Sequence, residues 1–301
     1  MKLYELIIIG AGPAGLTAGI YAARKKMDFI IITEDIGGMT KYSWDIENYL
    51  GYQFITGPEL VEKFREHINE FNVEIREGQK VIEVLKDEEN FKISTKTDTY
   101  FTKTIIIATG RRPKELNVKG EKEFRNKGIT YCATCDAPLF RDKIVGVIGG
   151  GNSGLDAVLQ LSRIAKKIYL IEIKDHLTGD FFVINKIKKI DKVEIFTNTK
   201  VVEIYGDKFV QGIKIIKNNE IIELKVDGLF VEIGSIPNSE IIDFVEKNQY
   251  NEIIVDCKNR TSHKGVFAAG DVTNVFAKQI IVACGEGAKA AISSFEYLKY
   301  L

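Results

Sequence analysis

The chain has 301 residues and a formal net charge of +0, because 42 Lys and Arg residues balance 42 Asp and Glu residues. Hydrophobic residues make up 45% of it and charged residues 28%, as in ordinary globular proteins. This balance argues against a nucleic-acid-binding surface, and no apolar stretch reaches the roughly 18 residues of a membrane helix. Glu5 interrupts the apolar N-terminal run, so no signal peptide is predicted. We therefore expect a cytoplasmic protein of about two domains, with no nucleic-acid or membrane partner.

The first predicted strand, 6–9, runs directly into a glycine-rich turn with the pattern G-x-G-x-x-G. The turn contains Gly10, Gly12, Pro13, Ala14 and Gly15. An alanine-rich helix follows, and the next apolar run ends in Glu34. This order places backbone N–H groups at a helix N-terminus where no Cβ obstructs a pyrophosphate, with an acid in place for a ribose hydroxyl. The segment is predicted to be a dinucleotide site.

The next elements are predicted from their hydrophobic periodicity. They are an amphipathic helix over 57–70, alternating strands over 73–102, and a buried strand over 104–107. The last of these ends in Ala108, Thr109 and Gly110. Arg111 and Arg112 follow, and we predict them to be a solvated pair at a domain boundary, although either could meet a phosphate.

Cys132 and Cys135 are the one close cysteine pair of the sequence, and Asp136 follows at once. This spacing is typical of a reversible dithiol with a carboxyl group able to move a proton. Zinc needs about four ligands, and the remaining Cys and His residues stand singly, so no metal is predicted. A structural disulfide is disfavoured in a thiol-poor chain without an export signal. We predict a redox-active dithiol.

The pattern of the first module then restarts 139 residues further along the chain. A second fingerprint follows a strand and opens a helix; it contains Gly149, Gly151, Asn152, Ser153 and Gly154. The next strand leads to Glu172, and a later one, 228–233, ends in Gly234. Two complete fingerprints predict two dinucleotide-binding modules with the dithiol between them.

A last buried strand, 265–269, ends in Gly270 and Asp271, and a helix is predicted from about residue 279 to 298. Asp271 could accept hydrogen bonds from a sugar or ribityl chain, or it could simply cap a helix. Both interpretations stay open on these residues alone.

Together these segments resemble the low-molecular-weight thioredoxin reductase family, in the family's order and over nearly the whole chain. The matching segments are 10–15, 45–49, 108–110, 132–136, 149–154 and 267–271. The stretch from Lys278 to Lys289 is similar to the reductase portion of the alkyl hydroperoxide reductase flavoprotein. The thioredoxin-like domains of that flavoprotein are absent here, so we expect the carrier to be a separate protein. Met39 and Ala137 replace the family's usual glutamine and glycine.

The resemblance implies an α/β fold with two Rossmann-like, three-layer, parallel-sheet nucleotide-binding domains, the second inserted in the first. The FAD-binding domain would comprise 1–113 and 242–301. The pyridine-nucleotide-type domain would comprise 114–241 and carry the dithiol. The resemblance also implies a homodimer.

The resemblance further implies a role for each matched residue. Cys135 would lie nearer the flavin, Cys132 would attack the partner, and Asp136 would give and take the proton. The residues implied for FAD are Gly10, Gly12, Pro13, Ala14, Gly15, Glu34, Gly38, Met39, Asn48, Val81, Ala108, Thr109, Gly110, Gly270, Asp271, Lys278, Gln279 and Ile280. Those implied for a nicotinamide nucleotide are Gly149, Gly151, Asn152, Ser153, Gly154, Glu172 and Gly234.

Glu172 bears on the electron donor. NADPH-using relatives have His-Arg-Arg where this chain has Glu172, Ile173 and Lys174. A carboxylate accepts a hydrogen bond from a ribose 2′-hydroxyl and repels a 2′-phosphate, so NADH is expected rather than NADPH. Some relatives instead take electrons from ferredoxin and have degenerate second fingerprints, whereas this one is intact. Ferredoxin stays the alternative donor, because Thr178 to Asp180 match neither pattern.

These inferences predict an FAD-dependent disulfide reductase. Two electrons would pass through FAD to the Cys132–Cys135 disulfide and on to a thioredoxin- or glutaredoxin-like protein. Two rival functions are an NADH oxidase in which the flavin reduces oxygen, and a flavin-bound redox sensor whose domain rotation signals to a partner.

Overall fold

The computed structural model describes residues 2–43 and 46–301. Asp45, which belongs to the resemblance over 45–49, lies outside the described residues. Contacts between Cα atoms divide the chain into two compact units. The first comprises Met1–Tyr42, Tyr49–Arg112 and Ile236–Leu301, and the second comprises Ser43–Asn48 and Pro113–Ser235. Of the helices in the described part, none combines the length and apolar character needed to span a bilayer.

The N-terminal part of the first unit alternates strands and helices before a β-meander. Its elements are β1 (Leu3–Ala11), α1 (Pro13–Arg24), β2 (Phe29–Ile36), α2 (Gly57–Asn69), β3 (Ile75–Glu77), β4 (Val81–Asp87), β5 (Asn90–Thr95), β6 (Thr99–Ile107) and β7 (Arg111–Pro113). A short 3-10 helix, Gly38–Tyr42, follows β2. Helix α2 begins where it does because Thr56 and Glu59 form a reciprocal capping box.

The second unit contains a βαβ core and a separate meander. Its elements are β8 (Ile129–Thr130), α3 (Ala133–Asp136), β9 (Ile144–Ile148), α4 (Asn152–Leu161), β10 (Lys167–Ile171), α5 (Phe181–Ile187), β11 (Val193–Phe196), β12 (Thr199–Gly206), β13 (Val210–Lys217), β14 (Glu220–Lys225) and β15 (Gly228–Val231). The chain then continues through β16 (Ser235–Pro237), β17 (Val266–Ala268) and α6 (Ile280–Leu298). Strands β16 and β7 pair as a two-stranded sheet.

The first unit is built on a seven-stranded sheet of order β3-β2-β1-β6-β5-β4, with β17 also paired to β6. Strands β3, β2, β1, β6 and β17 run parallel, whereas β4 and β5 are antiparallel. Strand β1 is buried on both faces, so its side chains alternate between two cores. Leu6 and Ile8 pack with residues of α1 and α6, and Ile7 and Ile9 pack on the opposite face.

The second unit has a five-stranded parallel sheet of order β11-β10-β9-β15-β8. On one face, Val145 and Val147 pack with Leu155 and Val158 of α4. On the other face, the sheet packs against the antiparallel sheet β12-β13-β14, including Ile213. The predicted α/β class with two parallel-sheet, Rossmann-like nucleotide-binding domains is therefore confirmed.

Candidate functional site

The cysteine pair lies at the start of a one-turn helix in the second unit. Cys132 and Cys135 form a disulfide, and their Cα atoms are 5.3 Å apart. Cys132 is the N-cap of α3, and its Sγ accepts a hydrogen bond from the N–H of Cys135 at 3.2 Å. Both residues are partly exposed in the described structure. The two cysteines that lie close together in the sequence are therefore disulfide-bonded, and their predicted redox activity stays a prediction.

Asp136 is buried, with 8% of the residue exposed, directly after the second cysteine. The hydroxyl of Thr130 donates to Asp136 Oδ2 and accepts the N–H of Cys132 at 3.2 Å. Thr130 therefore ties the carboxyl group to the first cysteine. Thr130 was not among the predicted site residues, although its place two residues before the cysteine pair was a usable signal.

A second carboxyl group also contacts α3. Glu232 comes directly after β15, and its Oε1 accepts the N–H of Ala133 at 3.1 Å. Burial raises the pKa of Glu232 to about 7; the hydrogen bond from Ala133 opposes this rise, and the negative charge of Asp156 adds to it. Glu232 was not predicted from the sequence, because no local motif marks it.

Two glycines of the first fingerprint are required by close backbone packing. Gly10 has φ +102°, and a Cβ there would lie 2.4 Å from the carbonyl oxygen of Ala108. A Cβ on Gly15 would lie 1.8 Å from the carbonyl oxygen of Gly10. Gly12 differs, because no atom lies within 4 Å of the position of its Cβ. It is the N-cap of α1, where no side chain caps the helix. The open space and the backbone N–H groups of this helix start form a cradle for an anion.

Other predicted FAD residues converge on this cradle. A Cβ on Gly38 would lie 3.4 Å from Gly12 Cα, and one on Gly270 would lie 3.0 Å from Ala14 Cβ. The glycine turn after β2 and the turn after β17 thus both approach the start of α1. These residues fit the pyrophosphate of an FAD molecule.

A partly buried charged cluster in the first unit consists of Arg111, Glu252, Asp271 and Lys278. Glu252 Oε1 lies 3.3 Å from Arg111 Nη1 and 3.0 Å from Lys278 Nζ. Burial alone would raise the pKa of Glu252, but hydrogen bonds from Asn248 and Lys278 lower it. Burial raises the pKa of Asp271 and lowers that of Lys278. Burial thus disfavours the charged form of both Asp271 and Lys278.

Arg111 corrects the prediction of a solvated arginine pair. Its side chain is 17% exposed, whereas that of Arg112 is 49% exposed and pairs with Glu240. Within the described part of the chain, Arg111 Nε is buried and has no hydrogen-bond partner. A buried donor of this kind fits a polar group of a bound cofactor. The sequence did not reveal this, because Glu252 lies far along the chain from Arg111.

The remaining predicted FAD residues lie at several other places. Val81 is buried in β4, and Met39 is exposed in the 3-10 helix. Asn48 belongs to the second unit. Thr109 donates to the carbonyl oxygen of Asn238 at 2.7 Å, in the turn with Gly110. Gln279 is the N-cap of α6 and Ile280 its first residue. Their contacts with FAD stay predictions.

Glu34 and Thr33 have opposite orientations in β2. Glu34 is exposed and pairs with Lys80 at 3.2 Å, while Thr33 is buried and its hydroxyl accepts the N–H of Ala11 at 3.2 Å. In the second module, Glu172 instead accepts the N–H of Gly150. Thr33 precedes Glu172 by 139 residues, the same spacing as that of the two fingerprints. Thr33 is therefore the structural counterpart of Glu172, and Glu34 stays a predicted ribose contact.

The second fingerprint repeats the backbone geometry of the first. Gly149 has φ +118°, and a Cβ there would lie 2.4 Å from the carbonyl oxygen of Glu232. A Cβ on Gly154 would lie 1.8 Å from the carbonyl oxygen of Gly149. Gly151 is the N-cap of α4 and again no side chain caps the helix. The start of α4 is thus a second cradle for an anion.

Glu172 is held rigidly beside this cradle. It is 7% exposed, and its carboxylate accepts the N–H of Gly150 at 2.5 Å and that of Lys174 at 2.9 Å. These two bonds fix the carboxylate at the end of β10. A ribose beside the fingerprint would meet an oriented acceptor, and a phosphate there would meet a negative charge.

The segment 178–180, which matched neither donor pattern in the sequence, packs on the second fingerprint. The N–H of Thr178 donates to the carbonyl oxygen of Gly150 at 2.8 Å, and the N–H of Asp180 donates to Asn152 Oδ1 at 2.8 Å. A Cβ on Gly179 would lie 2.4 Å from Leu155 Cδ1. The segment therefore supports the fingerprint and occupies one acceptor of Asn152. Gly234 has φ +92° and accepts the N–H of Lys114 at 3.0 Å.

The chain is similar to several known proteins. The chain matches a curated relative, the F subunit of alkyl hydroperoxide reductase from Staphylococcus aureus (strain MSSA476), with 38% identity over 299 residues. That match covers 98% of this chain and 59% of the relative, so the chain spans about three fifths of the relative's length. The corresponding protein of Escherichia coli (strain K12) is also 38% identical, over 98% of this chain and 58% of its own length.

Solved structures of thioredoxin reductases also match this chain. A thioredoxin reductase from Streptococcus pyogenes MGAS5005 matches with a TM-score of 0.93 and 35% identity, over 99% of both chains. A ferredoxin-flavin thioredoxin reductase from Clostridium acetobutylicum matches with a TM-score of 0.55 and 33% identity, also over 99% of both chains. The family model for pyridine nucleotide-disulphide oxidoreductases matches residues 4–287. The chain therefore belongs to the pyridine nucleotide-disulphide oxidoreductase family, as a flavoprotein oxidoreductase with the thioredoxin reductase fold.

Proposed function

We propose that this protein is a disulfide reductase that passes two electrons from NADH through FAD to the Cys132–Cys135 disulfide. The reduced pair then reduces a small thioredoxin- or glutaredoxin-like protein. FAD is assigned to the domain of residues 1–113 and 242–301, and the nicotinamide nucleotide to residues 114–241. The assembly is proposed to be a cytoplasmic homodimer.

The observation that carries this proposal is the environment of the disulfide. The two cysteines are partly exposed, their helix start is fixed by hydrogen bonds, and a buried carboxyl group follows the second sulfur. A partly exposed disulfide beside a proton-carrying group suits reversible exchange with another protein.

Each residue has a proposed role in that exchange. FAD, when bound, supplies a two-electron carrier between a hydride donor and the disulfide. The thiolate of Cys132 attacks one sulfur of the partner disulfide, and the other partner sulfur leaves as a thiolate that takes up a proton. Cys135 then attacks Cys132, which re-forms their S–S bond and releases the reduced partner. Asp136, held by Thr130, accepts the proton of Cys135 as it becomes a thiolate.

The choice of NADH rests on Glu172. Its carboxylate is fixed by two backbone N–H groups beside the start of α4, where a dinucleotide pyrophosphate binds in this fold. The 2′-hydroxyl of NADH can donate to this carboxylate, and the 2′-phosphate of NADPH is repelled by it. Reduced ferredoxin is the second candidate donor, favoured by the 33% identity to a ferredoxin-flavin thioredoxin reductase.

The test is an anaerobic comparison of electron donors. The FAD-loaded protein is mixed separately with NADH, NADPH and reduced ferredoxin, and bleaching of the flavin absorption band is followed. We expect fast bleaching by NADH. Bleaching by ferredoxin with none by either nucleotide would contradict NADH as donor and leave the disulfide chemistry intact.

A cysteine variant tests the disulfide step separately. Cys135→Ser should keep FAD and abolish reduction of a thioredoxin, while Cys257→Ser, which changes an exposed free cysteine, should retain it. A fully active Cys135→Ser variant would refute the disulfide reductase. Steady NADH consumption with oxygen alone, at the rate seen with thioredoxin, would indicate an NADH oxidase instead.

A further inference from the structure

Glu232 is a partly buried titratable group that the proposed exchange does not use. It lies between the helix that carries the dithiol and the second glycine fingerprint. Its side chain accepts the N–H of Ala133, the first residue of the helix that carries Cys135. Its backbone carbonyl oxygen lies against Gly149, where a Cβ would approach to 2.4 Å. One residue thus contacts both the dithiol helix and the glycine fingerprint.

The strand register explains this position. Strand β15 runs parallel to β8 and pairs Leu229 with Ile129 and Phe230 with Thr130. Glu232 follows the end of β15 directly, and Cys132 lies two residues after the end of β8, so both residues leave the sheet at the same edge. The N–H of Glu232 bonds to the carbonyl oxygen of Ile148 at 2.8 Å, which fixes the backbone on its other side. The carboxyl group is therefore held at the start of α3 by the sheet.

We propose that Glu232 is a positioning residue that sets the thiolate character of Cys132 through its contact with α3. The inference rests on the proposed disulfide exchange, because it concerns the thiol that begins it. Ionised Glu232 holds the first N–H of α3 and adds a negative charge at Ala133, the residue that follows Cys132. A second negative charge on the thiolate is then disfavoured, so the pKa of the Cys132 thiol is raised. When Glu232 is neutral, this repulsion of the thiolate is absent.

The charged groups around Glu232 support a titration near neutral pH. Asp156 of α4 is the charged group that raises its pKa, and Asp136 is the other carboxyl group on α3. With a pKa of about 7, Glu232 is mainly neutral below that pH and mainly charged above it. Ionisation of the thiol and of Glu232 should therefore be coupled.

The experiment uses the full-length protein, reduced with dithiothreitol and then freed of it, and measures the rate at which iodoacetamide alkylates Cys132 at each pH, with the labelled peptide identified by mass spectrometry. Glu232→Gln keeps an oxygen that can accept the N–H of Ala133 but removes the charge. We expect the apparent pKa of the Cys132 thiol to fall by roughly one unit, in a single step. Alkylation by iodoacetamide at pH 7 should be correspondingly faster.

The matched control is Asp227→Asn. Asp227 also accepts a backbone N–H, from Ile144 at 2.8 Å, but it precedes β15 and lies at the opposite end of the strand from Glu232. The control should leave the thiol titration unchanged. A thiol titration that is the same in Glu232→Gln as in the wild type would overturn the proposal.

A second variant keeps the proposal testable if Glu232→Gln does not fold. Asp156→Asn changes an exposed residue and removes a charge that adds to the rise in the pKa of Glu232, of which burial is the main cause. It should move the pH range in which the thiol and Glu232 titrate together slightly downward, and a movement to higher pH would refute the proposal. These readouts need no nucleotide, flavin or protein partner, so failure of thioredoxin reduction is distinguishable from failure of the role of Glu232.

Discussion

At the residue scale, the two repeated modules differ at one inward-facing position. The N–H after the first fingerprint glycine donates to the hydroxyl of Thr33 in one module and to the carboxylate of Glu172 in the other. The hydroxyl is neutral, whereas the carboxylate brings a buried negative charge to the end of β10. The same backbone hydrogen bond therefore ends on a neutral hydroxyl in the first module and on a carboxylate in the second.

The first prediction concerns Glu172. In Glu172→Gln the amide oxygen can still accept the N–H of Gly150, but the charge is lost. We expect kcat/KM for NADH to fall about tenfold, because a hydrogen bond to a charged group is stronger than one to a neutral group. The value for NADPH should rise, because its 2′-phosphate no longer meets a carboxylate. Flavin reduction rates with both nucleotides measure the ratio.

Asp175→Asn is the control for this change. Asp175 is a nearby carboxylate with an exposed side chain, so its charge is screened by solvent. Its variant should keep the wild-type preference between the nucleotides. Equal ratios in Glu172→Gln and the wild type would remove the basis for assigning NADH.

Single residues show where sequence reasoning succeeds and where it fails. The disulfide between Cys132 and Cys135 was predictable, because its two members are three residues apart. Glu232 and Arg111 were not, since each acquires its role from a partner far along the chain. Glu232 meets Ala133 only through strand pairing, and Arg111 meets Glu252 only through the packing of the first unit.

At the element scale, the glycines of each fingerprint have two distinct tasks. Gly10 and Gly15 leave no room for a Cβ, because a carbonyl oxygen would lie 2.4 Å from it at Gly10 and 1.8 Å from it at Gly15. Gly12 has free space, and Gly151 has only the Thr178 hydroxyl at 3.8 Å. Close packing of the strand on the helix therefore requires glycine at positions 10 and 15. Gly12 and Gly151 instead keep the start of each helix accessible.

We predict that Gly12→Ala and Gly151→Ala each fold normally and each lose one site. Neither glycine has a positive φ, so alanine adopts the backbone without strain. A methyl group at Gly12 obstructs the first cradle, and FAD content should fall. A methyl group at Gly151 obstructs the second, so FAD should stay bound while reduction by NADH is lost. Flavin absorbance and circular dichroism measure both outcomes.

Gly15→Ala is the contrasting variant, and it should reduce the yield of folded protein. If Gly12→Ala retained full FAD, the first cradle would not be the flavin site. If Gly151→Ala still allowed fast reduction by NADH, the second cradle would not be the NADH site.

Most elements were predictable because their signals are local. The helix expected from about 279 to 298 is α6, Ile280–Leu298, and the helix expected over 57–70 is α2, Gly57–Asn69. The segment 178–180 was not predictable, because it is fixed by contacts with Gly150 and Asn152 rather than by its own periodicity. Local patterns specify elements, whereas docking between elements depends on tertiary packing.

At the scale of the whole molecule, each unit has hydrophobic cores of its own. Leu6 and Ile7 belong to the cores of the first unit, and Val145 and Leu229 to those of the second. Separate cores favour separate unfolding transitions, since a two-state description holds mainly for single domains.

We predict that calorimetry resolves two thermal transitions and that FAD raises only one of them. At about 100 times its dissociation constant, a ligand stabilises the unit that binds it by about 2.7 kcal/mol. Gly12→Ala is the control, because FAD should shift neither transition in that variant. A single transition that moves as a whole with FAD would show that the two units unfold together.

The order of the elements also has a consequence for biosynthesis. The sheet of the first unit is completed by β17, and α1 packs against α6, yet β17 and α6 follow the whole of the second unit in the chain. A ribosome therefore releases every strand of the second unit before the last pieces of the first. Vectorial synthesis should let the dithiol unit mature while the N-terminal strands still expose apolar surface to chaperones.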